Sequence, residues 1–204
     1  MRRSIPLLIP VYIGAAFVAV NATAFPTSPV AAAADVTNVA RPVRARWERS
    51  PDRPLRVFIQ PAPKATGWRP ALTHAVWAGF ARWSTRDIPI RFVRVTSASA
   101  ADVVVEWVDA LPGKSIGKTW REDVGGVINA ARITLALHDH RGRALSDDMQ
   151  RGATLHEIGH LLGLEHTGRR DSIMYPQVWV TDVSATDLWA LRTLYRDRSH
   201  GIGD

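Results

Sequence analysis

Two hydrophobic periods alternate along this chain. Leu55 to Gln60, LRVFIQ, alternates apolar and polar positions and is rich in branched and aromatic residues, which predicts a strand. Leu72, Val76, Phe80 and Trp83 then recur at helical spacing behind Pro70, predicting a helix that runs to Thr85 with proline at its first position. Pro89 stops that pattern, and Ile90 to Val95, IRFVRV, alternates as a second strand. Ala101 to Val108, ADVVVEWV, is more continuously apolar, so a third strand is expected inside the sheet. Residues 109 to 126 open with proline and glycine and are expected to be a loop. Gly126 to Leu137, GVINAARITLAL, predicts a fourth strand, or two short ones around Ala130-Ala131. Ser146 followed by Asp147 and Asp148 makes a helix start, a capping hydroxyl with acids at the positive end, and that helix should end near Gly163. Ser184 with Asp187 forms a capping box, and Leu188, Leu191, Leu194 and Tyr195 mark a last amphipathic helix. Strands and helices in this order give an α+β class.

The ends of the chain follow neither period. Arg2 and Arg3 precede an apolar run, Ile5 to Val20, and small residues follow at Ala22-Thr23-Ala24 and Ala31 to Ala34. This is the layout of a secretory signal peptide over residues 1–34, with cleavage after Ala24 or Ala34. The run contains Pro6 and Pro10 and is shorter than the ~20 residues a membrane helix needs, so an uncleaved anchor is the lesser alternative. Residues 35–54 are an extended lead-in, residues 55–197 a single catalytic-sized domain, and residues 198–204 a frayed tail. No later segment is apolar and long enough to span a bilayer, so the mature chain is expected to be secreted or held in the cell envelope. There is no cysteine, so an exported protein of this sequence relies on packing and metal rather than disulfides. The net charge is +7, mostly from arginine spread along the chain. That charge can draw in acidic substrates, although a solvated basic face is the plainer account. No nucleic-acid-binding motif accompanies it, so no nucleic acid partner is expected; a monomer is. The arginine- and alanine-rich composition suggests a bacterium with a GC-rich genome.

The chemistry concentrates in residues 156 to 166, HEIGHLLGLEH. His156 and His160 lie four apart, on one face of a helix. His166 lies too far along a straight helix to join them, and Gly163 is placed to let the chain turn back. Three imidazoles plus one water make the open tetrahedral arrangement of a catalytic zinc. Glu157 follows the first ligand and sits beside the metal as a candidate general base. A bare H-E-x-x-H arises by chance in ~0.5% of chains this long. The added glycine and third histidine lower that by roughly a further 500-fold or more, which sets aside a surface helix with scattered histidines.

This stretch resembles the extended zinc signature of the metzincin metallopeptidases. Asp171-Ser172-Ile173-Met174-Tyr175-Pro176 resembles their methionine turn, worded most like the matrixin branch. Arg46-Trp47, Ala81-Arg82-Trp83-Ser84 and Ala101 to Val105 are similar to further matrixin landmarks, so the likeness covers about residues 45–196. The resemblance implies a zincin-like single domain: a twisted, mostly parallel sheet of about five strands with about three helices. It implies one catalytic Zn2+ held by His156, His160 and His166, with Met174 as an apolar floor beneath them. It implies a peptide or protein substrate. It also places the family's edge strand at Gly126 to Leu137, so that backbone groups around Ala131, Ile133 and Leu135 align the substrate, while Pro176 and Val178 line the specificity pocket. Many matrixins carry tyrosine where this chain has Val178. Latency by a cysteine switch is impossible without cysteine.

Other metal sites carry less. Asp109, Glu122 and Asp123 could hold Ca2+ through oxygen, but scattered loop acids are more often solvated. His138-Asp139-His140 could bind a second metal, but a polar turn is the simpler expectation. His74 is expected on a helix surface. Two alternatives to an endopeptidase stand beside it. One is a zinc-bearing peptide-binding or adhesion module with vestigial activity, which would have no use for Glu157; the other is a metallohydrolase acting on a non-peptide amide.

Overall fold

The computed structural model describes residues 44–177 and 179–196. The expectations for residues 1–34, for most of the lead-in, for Val178 and for the tail fall outside them. The element order is β1 (Arg46–Trp47), β2 (Leu55–Ile59), α1 (Pro70–Trp83), β3 (Phe92–Arg94), β4 (Val103–Val108), β5 (Gly117–Val124), β6 (Val127–Ala136), α2 (Asp147–Leu161) and α3 (Ala185–Arg196). A short 3-10 turn at Ala98–Ala100 leads into β4.

The sheet runs β1-β6-β4-β2-β3, all parallel, with β5 antiparallel on β6. This is the expected α+β, mostly parallel architecture, with six strands rather than five. Leu55, Val57 and Ile59 of β2, Val103 and Val105 of β4, and Ile133 and Leu135 of β6 face the helices and are buried. From the other side come Val76, Phe80 and Trp83 of α1 and Leu155, Ile158 and Leu161 of α2. Each such side chain contributes about 1.5–3 kcal/mol on leaving water. Gly79 lets the two helices close: a β-carbon there would stand 3.0 Å from Thr154 Cγ2 and 3.1 Å from Ile158 Cδ1. The buried indoles keep their donors paired, Trp83 Nε1 to Leu155 O at 2.9 Å and Trp47 Nε1 to Leu161 O at 2.9 Å.

Two expectations need correction. Residues 109 to 126 are not all loop, because β5 occupies Gly117–Val124. Its tip is Gly125-Gly126, with φ of 60° and 79°, the positive pair that a tight two-residue hairpin requires. The charged sequence of β5 hid its alternation, since only one of its faces meets protein. The open edge also moves. Ala131 to Leu135 of β6 pair with β4 on one side and with β5 on the other, so their backbone groups have no place for a substrate. The side chains of Ala131, Ile133 and Leu135 are core, at 5%, 1% and 0% exposure. Beside α2, β5 is the strand with a free edge, since it pairs with β6 alone. No described helix is long and apolar enough to cross a membrane.

Candidate active site

α2 starts as the sequence predicts: Ser146 Oγ accepts from Met149 N at 3.3 Å, with Asp147 and Asp148 in the first turn. The helix stops at Gly163, whose φ of 99° favours glycine. A β-carbon at that position would also sit 2.2 Å from the carbonyl oxygen of Ala45, the residue leading into β1. The chain turns back and delivers His166.

The Nε2 atoms of His156, His160 and His166 form a triangle with edges of 3.2, 3.1 and 3.1 Å. His156 Nδ1 donates to Ile173 O at 2.7 Å, and His160 Nδ1 donates to Leu164 O at 2.8 Å. A carbonyl only accepts, so both rings carry their proton on Nδ1 and turn a bare Nε2 lone pair inward. Converging acceptors with no proton between them suit a cation. Nitrogens about 2.0–2.1 Å from one zinc at tetrahedral angles stand roughly 3.3–3.4 Å apart, close to what is seen. Burial favours the neutral rings that a metal needs: it lowers the His156 pKa, and it lowers that of His160 to about 4. Among the described residues, this triad is the group of three such side chains whose ligand atoms gather within 4.8 Å.

Met174 is buried against α2 at 3% exposure. Gly159 makes that possible, because a β-carbon there would stand 2.2 Å from Met174 Sδ. The turn is fixed from α3. Buried Asp187 closes the predicted box with Ser184, whose N and Oγ donate to Oδ2 at 2.9 and 2.7 Å. The same carboxylate accepts from Ile173 N at 3.1 Å and from Ser172 Oγ. Ser172 Oγ in turn accepts from Met174 N at 3.0 Å. One side chain thus caps a helix and shapes the turn whose carbonyl orients His156.

Glu157 is buried, and burial raises its pKa to about 7, with a hydrogen bond from Thr119 opposing the rise. Thr119 Oγ1 lies 2.6 Å from Glu157 Oε2 and 3.0 Å from Glu157 O. Gly117, two residues earlier on the same face of β5, leaves room: a β-carbon would meet Glu157 Oε1 at 2.6 Å. Arg121, next on that face, donates to His160 O at 2.7 Å and to Glu165 at 2.8 Å. Thr119, Gly117, Arg121 and Gly159 are absent from the sequence prediction. The Gly125-Gly126 tip was the signal that could have found the first three.

The site opens into a cleft of about 600 Å³ lined by Ile116, Met149, Ala153, Pro176 and Gln177 beside the triad and Glu157. Pro176 is part of this cleft's wall, and Trp179 is 64% exposed. The other sequence candidates lie elsewhere. His138 Nδ1 is 2.9 Å from Asp109 Oδ1. Asp139 accepts from Arg141 N and Arg143 N at 2.8 and 3.0 Å, closing a polar turn. Asp109 is not gathered with Glu122 and Asp123. His74 is exposed on α1.

A family model for the matrixins matches residues 55–196. The chain belongs to the matrixin family. Its zinc signature and methionine turn both lie within the matched span, and the family implies zinc and a protein substrate. This matrixin is 46% identical over 48 residues to matrix metalloproteinase-26 of Homo sapiens, covering 21% of the chain and 18% of that protein. It is 31% identical over 110 residues to metalloendoproteinase 1-MMP of Arabidopsis thaliana, covering 48% of the chain and 30% of that protein. The matched stretches thus span less than a third of the length of either curated relative.

Proposed function

We propose that this matrixin is an exported zinc-dependent endopeptidase in which Glu157 is the general base and an extended peptide lies along β5. The observation that carries this is the meeting, in one cleft, of three converging Nε2 lone pairs with a buried carboxyl from the same helix. His156, His160 and His166 would hold zinc, which when bound would supply a Lewis acid for the peptide carbonyl and a water of lowered pKa, about 7. Glu157 takes the proton of the attacking water and returns it to the leaving nitrogen. A carboxyl that burial raises to about 7 against the opposing Thr119 hydrogen bond can do both near neutral pH, and a cation in the triad would draw it back toward the carboxylate form. The free edge of β5 offers backbone groups to any extended chain, which asks little of its side chains. Ile116, Met149, Ala153 and Pro176 give the cleft apolar walls. The signal-like pattern of residues 1–34 supports export.

The test is cleavage of a mixed peptide library by zinc-loaded protein beside Glu157→Ala. The variant should keep one zinc per chain and lose turnover by about 1000-fold. Turnover retained in the variant would reject Glu157 as the base. No cleavage by either protein with zinc bound would favour the binding module instead.

A further inference from the structure

We infer that Thr119 and Gly117 of β5 form a cradle that holds the Glu157 carboxyl in its working orientation, making Thr119 a positioning residue for the reaction. The inference rests on the endopeptidase reading and adds residues of a different element to it. Three observations converge. Thr119 Oγ1 reaches Glu157 Oε2 at 2.6 Å, a short contact for a hydroxyl and a carboxylate. At Gly117 a β-carbon would come within 2.6 Å of Oε1, 2.7 Å of Cγ and 3.0 Å of Cδ, so the missing side chain is the space the carboxyl occupies. Both residues project from the same face of β5, because side chains alternate along a strand and these are two apart. Thr119 engages Oε2 and leaves Oε1 as the oxygen without a side-chain partner.

The arrangement also suits a group that must gain and lose a proton. Thr119 has one proton and two acceptors within reach, Glu157 Oε2 at 2.6 Å and Glu157 O at 3.0 Å. Its hydroxyl can donate to the carboxylate. Turned toward the carbonyl, it can instead accept from the acid form without moving either chain. Valine has the same shape and can do neither; serine can do both. The cradle belongs to β5, the strand proposed to bind the peptide, so substrate pairing and base orientation share one element.

The experiment compares zinc-loaded wild type, Thr119→Val, Thr119→Ser and Gly117→Ala, with zinc content, kcat and KM measured on one peptide and a crystal structure of each. Thr119→Val should keep its zinc and hold KM within about twofold while kcat falls roughly 10- to 100-fold, the worth of a hydrogen bond to a charged group. Thr119→Ser should recover kcat to within about threefold of wild type. In the crystals, the Glu157 carboxyl should spread over more than one orientation in Thr119→Val and be displaced in Gly117→Ala. A Thr119→Val protein with wild-type kcat, a loss of kcat that merely follows loss of zinc, or a Glu157 carboxyl unmoved in both crystals would each overturn the inference. If the wild type cleaves no peptide, the endopeptidase reading fails, and the crystal structures still decide the cradle.

Discussion

At the scale of single residues, the site depends on side chains that are absent as much as on those present. Gly159 stands within the zinc signature between two ligands, where the motif's notation leaves the position free. Gly159→Ala would gain about 1 kcal/mol of helix propensity but drive a methyl into Met174 Sδ, an overpacking cost of about 1–3 kcal/mol. The expected outcome is a lower melting temperature and weaker zinc binding, read by thermal unfolding and by competition with a chelator. Gly168→Ala is the control, since no atom lies within 4 Å of its added β-carbon. Equal behaviour of the two variants would show that Met174 is not held against the helix. The converging triad, with Glu157 beside it, was legible in the sequence because metal chemistry ties residue type to spacing. Gly159 and Gly117 were not, because what they make room for lies far along the chain.

Among elements, the methionine turn and α3 behave as one unit through Asp187. As a simple helix cap, Asp187→Ala would cost about 1 kcal/mol. It would also leave the buried Ser172 hydroxyl and Ile173 N–H without their acceptor, at about 1–3 kcal/mol each. The total loss in denaturant unfolding should therefore exceed the cap alone at least twofold. Zinc affinity should fall with it, because Ile173 O orients His156. A loss near 1 kcal/mol with zinc affinity unchanged would uncouple the turn from α3. The turn between β6 and α2 makes a second case. Backbone hydrogen bonds from Arg143 and Arg141, with the Arg143 side chain, hold the Asp139 carboxyl down at about 2, against an ordinary 3.8. A depressed carboxyl stabilises the fold above its unfolded pKa and stops doing so as pH falls toward the folded one. The gap in melting temperature between wild type and Asp139→Asn should be constant above about pH 5, shrink below 3.8 and be mostly lost by about pH 2. A gap undiminished at about pH 2 would place the effect elsewhere. β5 was illegible for a related reason. Its solvent-facing residues are mostly charged, with Trp120 and Val124 among them, so no hydrophobic period marks it, and the sequence points to its neighbour β6 for the edge that β5 holds.

For the whole molecule, the hydrophobic periods named the helices and most parallel strands because each buries one face on the same core. They could not say what lies over the end of α2. Its last carbonyls are finished from remote sequence: Trp47 Nε1 reaches Leu161 O across 114 residues, Tyr195 Oη reaches Leu162 O across 33, and Arg121 reaches His160 O across 39. Together with Ala45 pressed on Gly163, these contacts hold the bend that swings His166 toward the other two ligands. A small zinc finger captures its ion first and folds around it. Here the expected order is the reverse. A chain emerging from the ribosome has its three histidines well before it has Tyr195, yet the bend that unites them is secured only when both distant ends have docked. Slow, non-local contacts of this kind form late, so metal capture is expected to close the folding sequence rather than to nucleate it.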